Sequence, residues 1–112
     1  MKLEAIEQDI LGDMAEDTHL LGEIFGSFRG ANPAWTDEQV LVAGRGLIVS
    51  WLERGWLALS TMPTEQGPLK SVDELLPLID RLGTEATWGV KNLWLGLTPK
   101  AYADVEWLGP AA

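Results

Sequence analysis

Apolar residues in the first quarter of the chain recur at the three- and four-residue spacing of an α-helix. They predict a first helix over residues 2–16 and a second from Thr18 to about Phe28. The pattern leaves open whether these two helices are continuous, because Thr18 could cap a new start. The turn-forming residues of "RGANPAW", residues 29–35, then predict a loop.

The best-marked helix begins at "TDEQ", where Thr36 and Gln39 have the spacing of a capping box. Its apolar periodicity continues until Gly55, which is expected to end the helix. Gly44 and Gly46 lie inside this helix, where each costs about 1 kcal/mol relative to Ala. They predict either close packing against a neighbouring helix or a weak point at which the helix bends.

The second half of the chain contains two short segments typical of β-strands, at residues 56–60 and at about 90–97. A Pro- and Gly-rich loop and a short helix at 71–82 separate them. We expect the two strands to pair antiparallel and the long helix to pack on the resulting sheet. The last strand stops at Thr98 and Pro99, where the Thr hydroxyl is expected to cap a closing helix.

Length and composition indicate one domain with a folded core, since the 112 residues are 46% hydrophobic and include six Trp. The absence of Cys excludes disulfides and thiolate sites. No run reaches the ~18 apolar residues of a membrane span, and the N-terminus lacks the apolar centre of a signal peptide, so we expect a cytoplasmic protein. The elements together predict an α+β fold, mostly helical, with a small antiparallel sheet.

The net charge of −9 is concentrated near the N-terminus: residues 1–38 carry −7 and residues 39–112 carry −2. Acidity can serve solubility alone, but this asymmetry also suits a cationic partner. We call the residues Asp9, Asp13 and Glu16 the acidic stripe. The same two interpretations apply to this stripe: it is a solvated helix face, or it is a surface that binds a cationic partner. The candidate partner-binding residues are Asp9, Asp13, Glu16, Asp17, Glu23 and Trp35.

Trp35 is included because it follows Pro33 in the predicted loop and is expected to be the most exposed aromatic residue. An exposed Trp is a candidate interface anchor. The alternative is that its ring packs over the start of the third helix. Trp51 and Trp94, by contrast, are expected to be buried from their periodicity.

Catalytic, metal and nucleic-acid sites find little support in the sequence. His19 is the only histidine; it could act as a base held by Asp17, but no Ser, Cys or second His has the spacing of a triad. The acids around Asp13 could supply oxygen ligands, yet the central Gly of a calcium loop is missing. The Lys and Arg residues are scattered singly, which disfavours phosphate binding. We therefore predict a protein without enzymatic activity, cofactor, metal, nucleic-acid partner or membrane partner, whose oligomeric state the sequence leaves open.

Two segments, "WLERGWLAL" and "LGLTPKAYA", resemble the winged-helix arrangement, in which a helix feeds the first wing strand and the second wing strand leads into a Thr-capped helix. The match covers about residues 36–60 and 91–105. It implies a winged-helix-like fold with the helix at 71–82 inserted in the wing. One long helix replaces the two short helices of a DNA-binding winged helix, and it lacks the basic character of a recognition helix.

The chain also resembles small acidic bacterial proteins with this pattern. Those proteins look like immunity proteins of contact-dependent growth inhibition and other polymorphic toxin systems. This resemblance implies a bacterial inhibitor that blocks the active site or substrate groove of a cognate, cationic toxin, expected to be a nuclease. The competing hypothesis is a winged-helix transcription regulator or antitoxin, and a third is a subunit of an unrelated assembly. The acidic and apolar sequence "TDEQVLVAGRGLIVSWLERG" favours the inhibitor, because DNA recognition would require a basic helix here.

Overall fold

Helices form most of the part of the chain that the computed structural model describes, which is residues 3–16, 19–60 and 94–109. The elements in chain order are α1 (Ala5–Glu16), β1 (His19–Leu20), α2 (Leu21–Ala31), α3 (Asp37–Glu53), β2 (Leu57–Ser60), β3 (Trp94–Leu97), α4 (Pro99–Asp104) and a 3-10 turn (Glu106–Leu108). The prediction of a mostly helical α+β fold is confirmed. The predicted loop after residue 60 and the helix at 71–82 lie outside the described residues.

In the part of the chain that the structure describes, the sheet has three antiparallel strands in the order β1-β3-β2. Leu57 is opposite Leu97 and Leu59 is opposite Leu95, which confirms the predicted pairing of the two strands. Strand β1 was not predicted, because its two residues are too few to show a period and were assigned to the second helix. It pairs His19 with Leu95, and it separates α1 from α2 into two helices.

Within the described residues, the hydrophobic core is one cluster to which every α-helix and two of the strands contribute. α3 packs mainly against α2 and touches β2 near its C-terminal end. Gly44 explains the closeness of α2 and α3, because a Cβ at this position would lie 2.4 Å from the ring of the buried Phe25. Gly46 has open space around it, so only Gly44 fits the prediction of close packing. The largest fully buried side chains are Trp51, Trp56, Phe25, Ile10, Leu11, Ile24, Ile48 and Leu57.

The start of α3 has the predicted capping box. The Gln39 N–H donates to the Thr36 hydroxyl at 3.2 Å, and the Thr36 N–H donates to the Gln39 side-chain oxygen at 2.8 Å. The helix ends as predicted near Gly55, which has a φ of 75° that favours glycine. Both ends of the long helix are therefore fixed by local sequence.

The predicted role of Thr98 as a side-chain cap is wrong. Thr98 occupies the N-cap position of α4, but its hydroxyl donates to the backbone carbonyl of Gly55 at 2.6 Å and makes no capping bond. Its N–H donates to the Trp56 carbonyl at 2.8 Å. Thr98 therefore links the end of β3 to the turn after α3 through a tertiary contact that the local sequence pattern does not predict.

Trp94 is half-buried, not buried as predicted, because it faces the outer side of β3. Trp51 is fully buried, as predicted.

Candidate protein-binding surface

A groove of about 610 Å³ runs between α1 and α2 and ends at the turn that precedes α3. α1 and α2 are joined through the short β1 and lie side by side, so that residues near the start of α1 approach the end of α2. The floor of the groove is apolar, and its α1 side is polar because it carries two carboxylates. The lining residues are Ala5, Ile6, Asp9, Ile10, Asp13, Ser27, Phe28, Ala31, Asn32 and Trp35.

The groove brings together three of the predicted partner-binding residues. Asp9 and Asp13 line it from α1, one helical turn apart, and both are exposed. Trp35 lines it from the turn at its far end. Helical spacing predicted the first two as neighbours, whereas the approach of Trp35 depends on how α1 and α2 pack and could not be read from the sequence.

The other predicted partner-binding residues lie elsewhere. Glu16 is exposed at the C-terminal end of α1 and does not line the groove. Glu23 is exposed near the start of α2, and a carboxylate oxygen lies 3.5 Å from Nδ1 of His19. Asp17 is outside the described residues.

Trp35 is not the exposed aromatic residue that was predicted. It is half-buried against the core, while its carbonyl accepts a hydrogen bond from the Arg29 guanidinium, which also pairs with Asp37. Its N–H donates to the Asn32 carbonyl at 3.1 Å. These bonds fix the backbone of the turn, and the half-buried side chain of Trp35 forms one wall of the groove.

Val42 and Trp107 are the exposed large hydrophobic residues in the described part of the chain, at 65% and 53% exposure. Val42 belongs to an open depression of about 450 Å³ over the first half of α3, lined by Trp35, Glu38, Gln39, Val42 and Ala43. Val42 was not among the predicted partner-binding residues. The sequence signal that could have indicated it is an apolar residue at a position of α3 that the helical period places on the solvent side.

A third groove, of about 290 Å³, lies between α1 and α3. Its lining residues are Glu4, Ile6, Glu7, Phe28, Ala43, Gly46, Leu47, Ser50 and Trp51. Ile6 and Phe28 also line the groove between α1 and α2, Trp35 joins that groove to the depression over α3, and Ala43 joins the depression to the third groove. The three hollows therefore form one connected surface, which we call the acidic face.

Among the described residues, the charged side chains that line the acidic face are all acidic. They are the five carboxylates of Glu4, Glu7, Asp9, Asp13 and Glu38, and no Lys, Arg or His of this part of the chain lines the hollows. Apolar side chains between the carboxylates reduce the local dielectric response and strengthen the field above them. This surface suits a ligand that is both cationic and partly apolar. Glu4, Glu7 and Glu38 were not predicted as site residues, although Glu4 and Glu7 flank Ile6 on the same helix.

Two basic side chains, those of Arg54 and Lys100, lie at the C-terminal end of α3, which is about 25 Å long for its 17 residues. Arg54 stacks over the Trp56 ring at 4.9 Å, and Lys100 lies 2.5 Å from Asp104. The Trp56 indole N–H donates to the same Asp104 oxygen at 2.9 Å. The hydrogen bond from Lys100 and, to a smaller extent, that from Trp56 lower the pKa of Asp104. The described cations at this end are thus engaged in contacts that hold α4 against the end of α3.

Other kinds of site have no geometric support within the described ranges. No group of three or more His, Cys, Asp or Glu residues there could hold a metal ion. No helix there combines the length and apolar character needed to cross a bilayer. Comparisons with protein-family models, with curated proteins and with solved structures give no match for this chain.

Proposed function

We propose that this protein is a cytoplasmic immunity protein that binds a cognate, cationic toxin domain and blocks its active site or substrate groove. The observation that carries the proposal is the acidic face, where the charged side chains that line the apolar hollows are, within the described ranges, five carboxylates and no base. A toxin that acts on nucleic acid must bind phosphates and is therefore cationic where it works. An inhibitor with the opposite charge would cover that same surface.

The mechanism is stoichiometric occlusion and requires no chemical step. The field of the acidic face accelerates encounter with a cationic protein and orients it, which matters for an inhibitor that must act before the toxin does. Apolar groups such as Ile6 and Val42 then supply the short-range contacts that slow dissociation. The two contributions have different signatures, because only the first depends on salt concentration.

A DNA-binding regulator or antitoxin is the second candidate. The order of α3, β2 and β3, with antiparallel strands, supports it through the winged-helix resemblance. The charge of α3 counts against it, since Asp37 and Glu38 occupy the helix N-terminus and would oppose phosphates. We therefore rank this candidate below the inhibitor.

Growth protection and complex formation test the proposal together. The partner to be tried is the C-terminal domain encoded by the neighbouring upstream gene, expressed with and without this protein. We expect protected growth and a stoichiometric complex that survives purification at low salt. Protection without a complex, or a complex without protection, would contradict occlusion as the mechanism.

A further inference from the structure

We infer that the groove between α1 and α2 receives a basic amphipathic α-helix of the partner, with two Lys or Arg residues one turn apart facing Asp9 and Asp13. This inference rests on the proposed function, because it specifies which part of the toxin the protein would bind. It goes beyond that function by assigning a secondary structure, a charge pattern and one particular groove to the contact.

The two walls of the groove differ in chemistry, which gives an occupant a preferred orientation. The α1 wall carries the carboxylates of Asp9 and Asp13, whereas the α2 wall carries the small side chains of Ser27 and Ala31. Phe28, Ile6 and Ile10 form the apolar floor. A molecule bound in the groove must therefore be basic on the side that faces α1 and apolar on the side that faces the floor. On the side that faces α2 it must fit closely against small side chains. An amphipathic helix meets all three requirements with one repeating pattern.

The hydrogen-bonding capacity of the groove favours a helical over an extended occupant. Backbone groups in the middle of α1 and α2 are used inside those helices, so that spare N–H and C=O groups are confined to the first turn of α1 and the last turn of α2. The polar side chains of the α2 wall are also engaged, since Ser27 donates to the Glu23 carbonyl at 3.1 Å and Asn32 donates to the Phe28 carbonyl at 3.2 Å. An extended segment would bury backbone N–H and C=O groups with few partners, whereas a helix satisfies its own.

The spacing of charge also fits a helix. Asp9 and Asp13 are four residues apart, which corresponds to about 6 Å along α1. Basic residues at i and i+4 of a partner helix repeat with the same spacing. Ala5 and Ala31 near one end of the groove allow the backbones to approach to the roughly 8–10 Å of packed helices. A second copy of this chain is the poorer occupant, because its net charge of −9 would oppose binding.

A peptide selection tests the inference with the full chain as bait. The probe is a displayed library of random peptides about 16 residues long, enough for a stable amphipathic helix once bound. Selection runs on the parent protein, and the enriched peptides are then measured against two variants. Ala31→Trp places an indole in the groove, and Ala103→Trp is the matched control at another exposed helical alanine that does not line the acidic face.

We expect enriched peptides with apolar residues at helical spacing and Lys or Arg at i and i+4. Their affinity should fall about tenfold or more with Ala31→Trp and stay unchanged with Ala103→Trp. Circular dichroism checks that both variants fold and that the bound peptide is helical. Peptides that are extended or not basic, peptides that bind Ala31→Trp as well as the parent, or no groove-dependent enrichment would each overturn the inference.

A failure of the groove inference can be distinguished from a failure of the proposed immunity function. A toxin that binds the parent and Ala31→Trp equally well would leave the immunity function standing and would remove only the groove inference. A parent protein that selects basic helical peptides but protects against no toxin would do the reverse. In that case the groove would serve a different cationic partner.

Discussion

The ring of Phe25 occupies the space next to Gly44 so closely that two of its carbon atoms lie 2.4 and 2.5 Å from where a Cβ of residue 44 would be. Phe25 is fully buried, so its ring has no solvent-facing space into which to turn. This contact sets the distance between α2 and α3. It thereby also positions Phe28, one turn further along α2, where the grooves of the acidic face meet.

Gly44→Ala should therefore destabilise the protein although Ala is the better helix former. We expect a loss of about 1–3 kcal/mol in the free energy of unfolding, because the added methyl overpacks the core. Gly46→Ala is the matched control: its Cβ meets nothing within 4 Å, so the helix-propensity gain of up to about 1 kcal/mol should appear. Urea unfolding followed by Trp fluorescence measures both. A Gly44→Ala protein as stable as Gly46→Ala would contradict the packing argument.

The second prediction concerns Asp104, whose pKa is lowered by the hydrogen bonds from Lys100 and Trp56. A carboxyl whose pKa falls on folding stabilises the folded state above its unfolded pKa, and this contribution is lost as the pH falls through the folded pKa. Asp104→Asn should therefore be less stable than the parent near neutral pH, and the difference should shrink below the ordinary value of 3.8. Urea midpoints across this pH range test it.

Glu106→Gln is the control for Asp104→Asn, since it removes an exposed carboxylate two residues further on. We expect the stability of this variant to follow that of the parent at every pH. A difference for Asp104→Asn that persists unchanged into acid would show that the ionised carboxylate is not what stabilises the contact between α3 and α4.

The elements marked by local chemistry were predictable from the sequence, and those that depend on distant contacts were not. The Thr36–Gln39 capping box lies within four residues and needs no tertiary information, so the start of α3 was correct. Strand β1 exists because His19 and Leu20 meet β3, which lies more than 70 residues later in the chain. Thr98 was misassigned for the same reason, because its hydroxyl donates to the carbonyl of Gly55, which is distant in the sequence, and accepts no bond from the start of α4.

The candidate site also combines features that the local sequence predicts with features that depend on tertiary packing. Asp9 and Asp13 share a helix face by spacing alone, so the acidic stripe could be predicted in part. That Trp35 closes the same groove follows from the packing of α1 on α2 and from the Arg29 bonds that hold the turn. Glu7 belongs to this surface because residues of α1 and α3 line the third groove together, and Glu38 belongs to it because the depression over α3 shares Ala43 with that groove.

The third prediction separates the inhibitor from the regulator. The purified protein should show no binding to duplex DNA at near-physiological salt with even micromolar affinity, because binding to phosphates depends on their neutralisation by Lys and Arg. Fluorescence anisotropy with a labelled duplex of random sequence measures it. A sub-micromolar dissociation constant, with the strong salt dependence of counterion release, would place the DNA-binding regulator first.

The fourth prediction concerns the apolar part of the interface with the cognate toxin. Trp35→Ala should raise the dissociation rate and leave the salt dependence of association unchanged, because the side chain contributes contact area and no charge. Trp107→Ala is the matched control, since Trp107 is 53% exposed and does not line the acidic face. Surface plasmon resonance gives both rates. Equal effects of the two substitutions would mean that Trp35 has no special place in binding.

The last prediction concerns the acidic stripe and carries the functional proposal. Asp9→Asn, Asp13→Asn and Glu16→Gln together should leave folding intact or stabilise α1 by a few tenths of a kcal/mol, because like charges at this helical spacing repel one another. Association with the toxin should slow by roughly threefold to tenfold at low salt, and its salt dependence should weaken. Stopped-flow measurements at two ionic strengths test this. The geometry assigns most of the effect to Asp9 and Asp13, which line the groove, and little to Glu16.

The control for the acidic stripe is the double substitution Glu53→Gln and Glu106→Gln, compared with Asp9→Asn and Asp13→Asn. Both pairs remove two exposed carboxylates and change the net charge equally, but Glu53 and Glu106 do not line the acidic face. Steering by overall charge would slow association equally in both. A local contact would slow it only for the α1 pair. If the α1 pair associates as fast as the parent at both ionic strengths, the acidic stripe is a solvated helix face and the partner binds elsewhere.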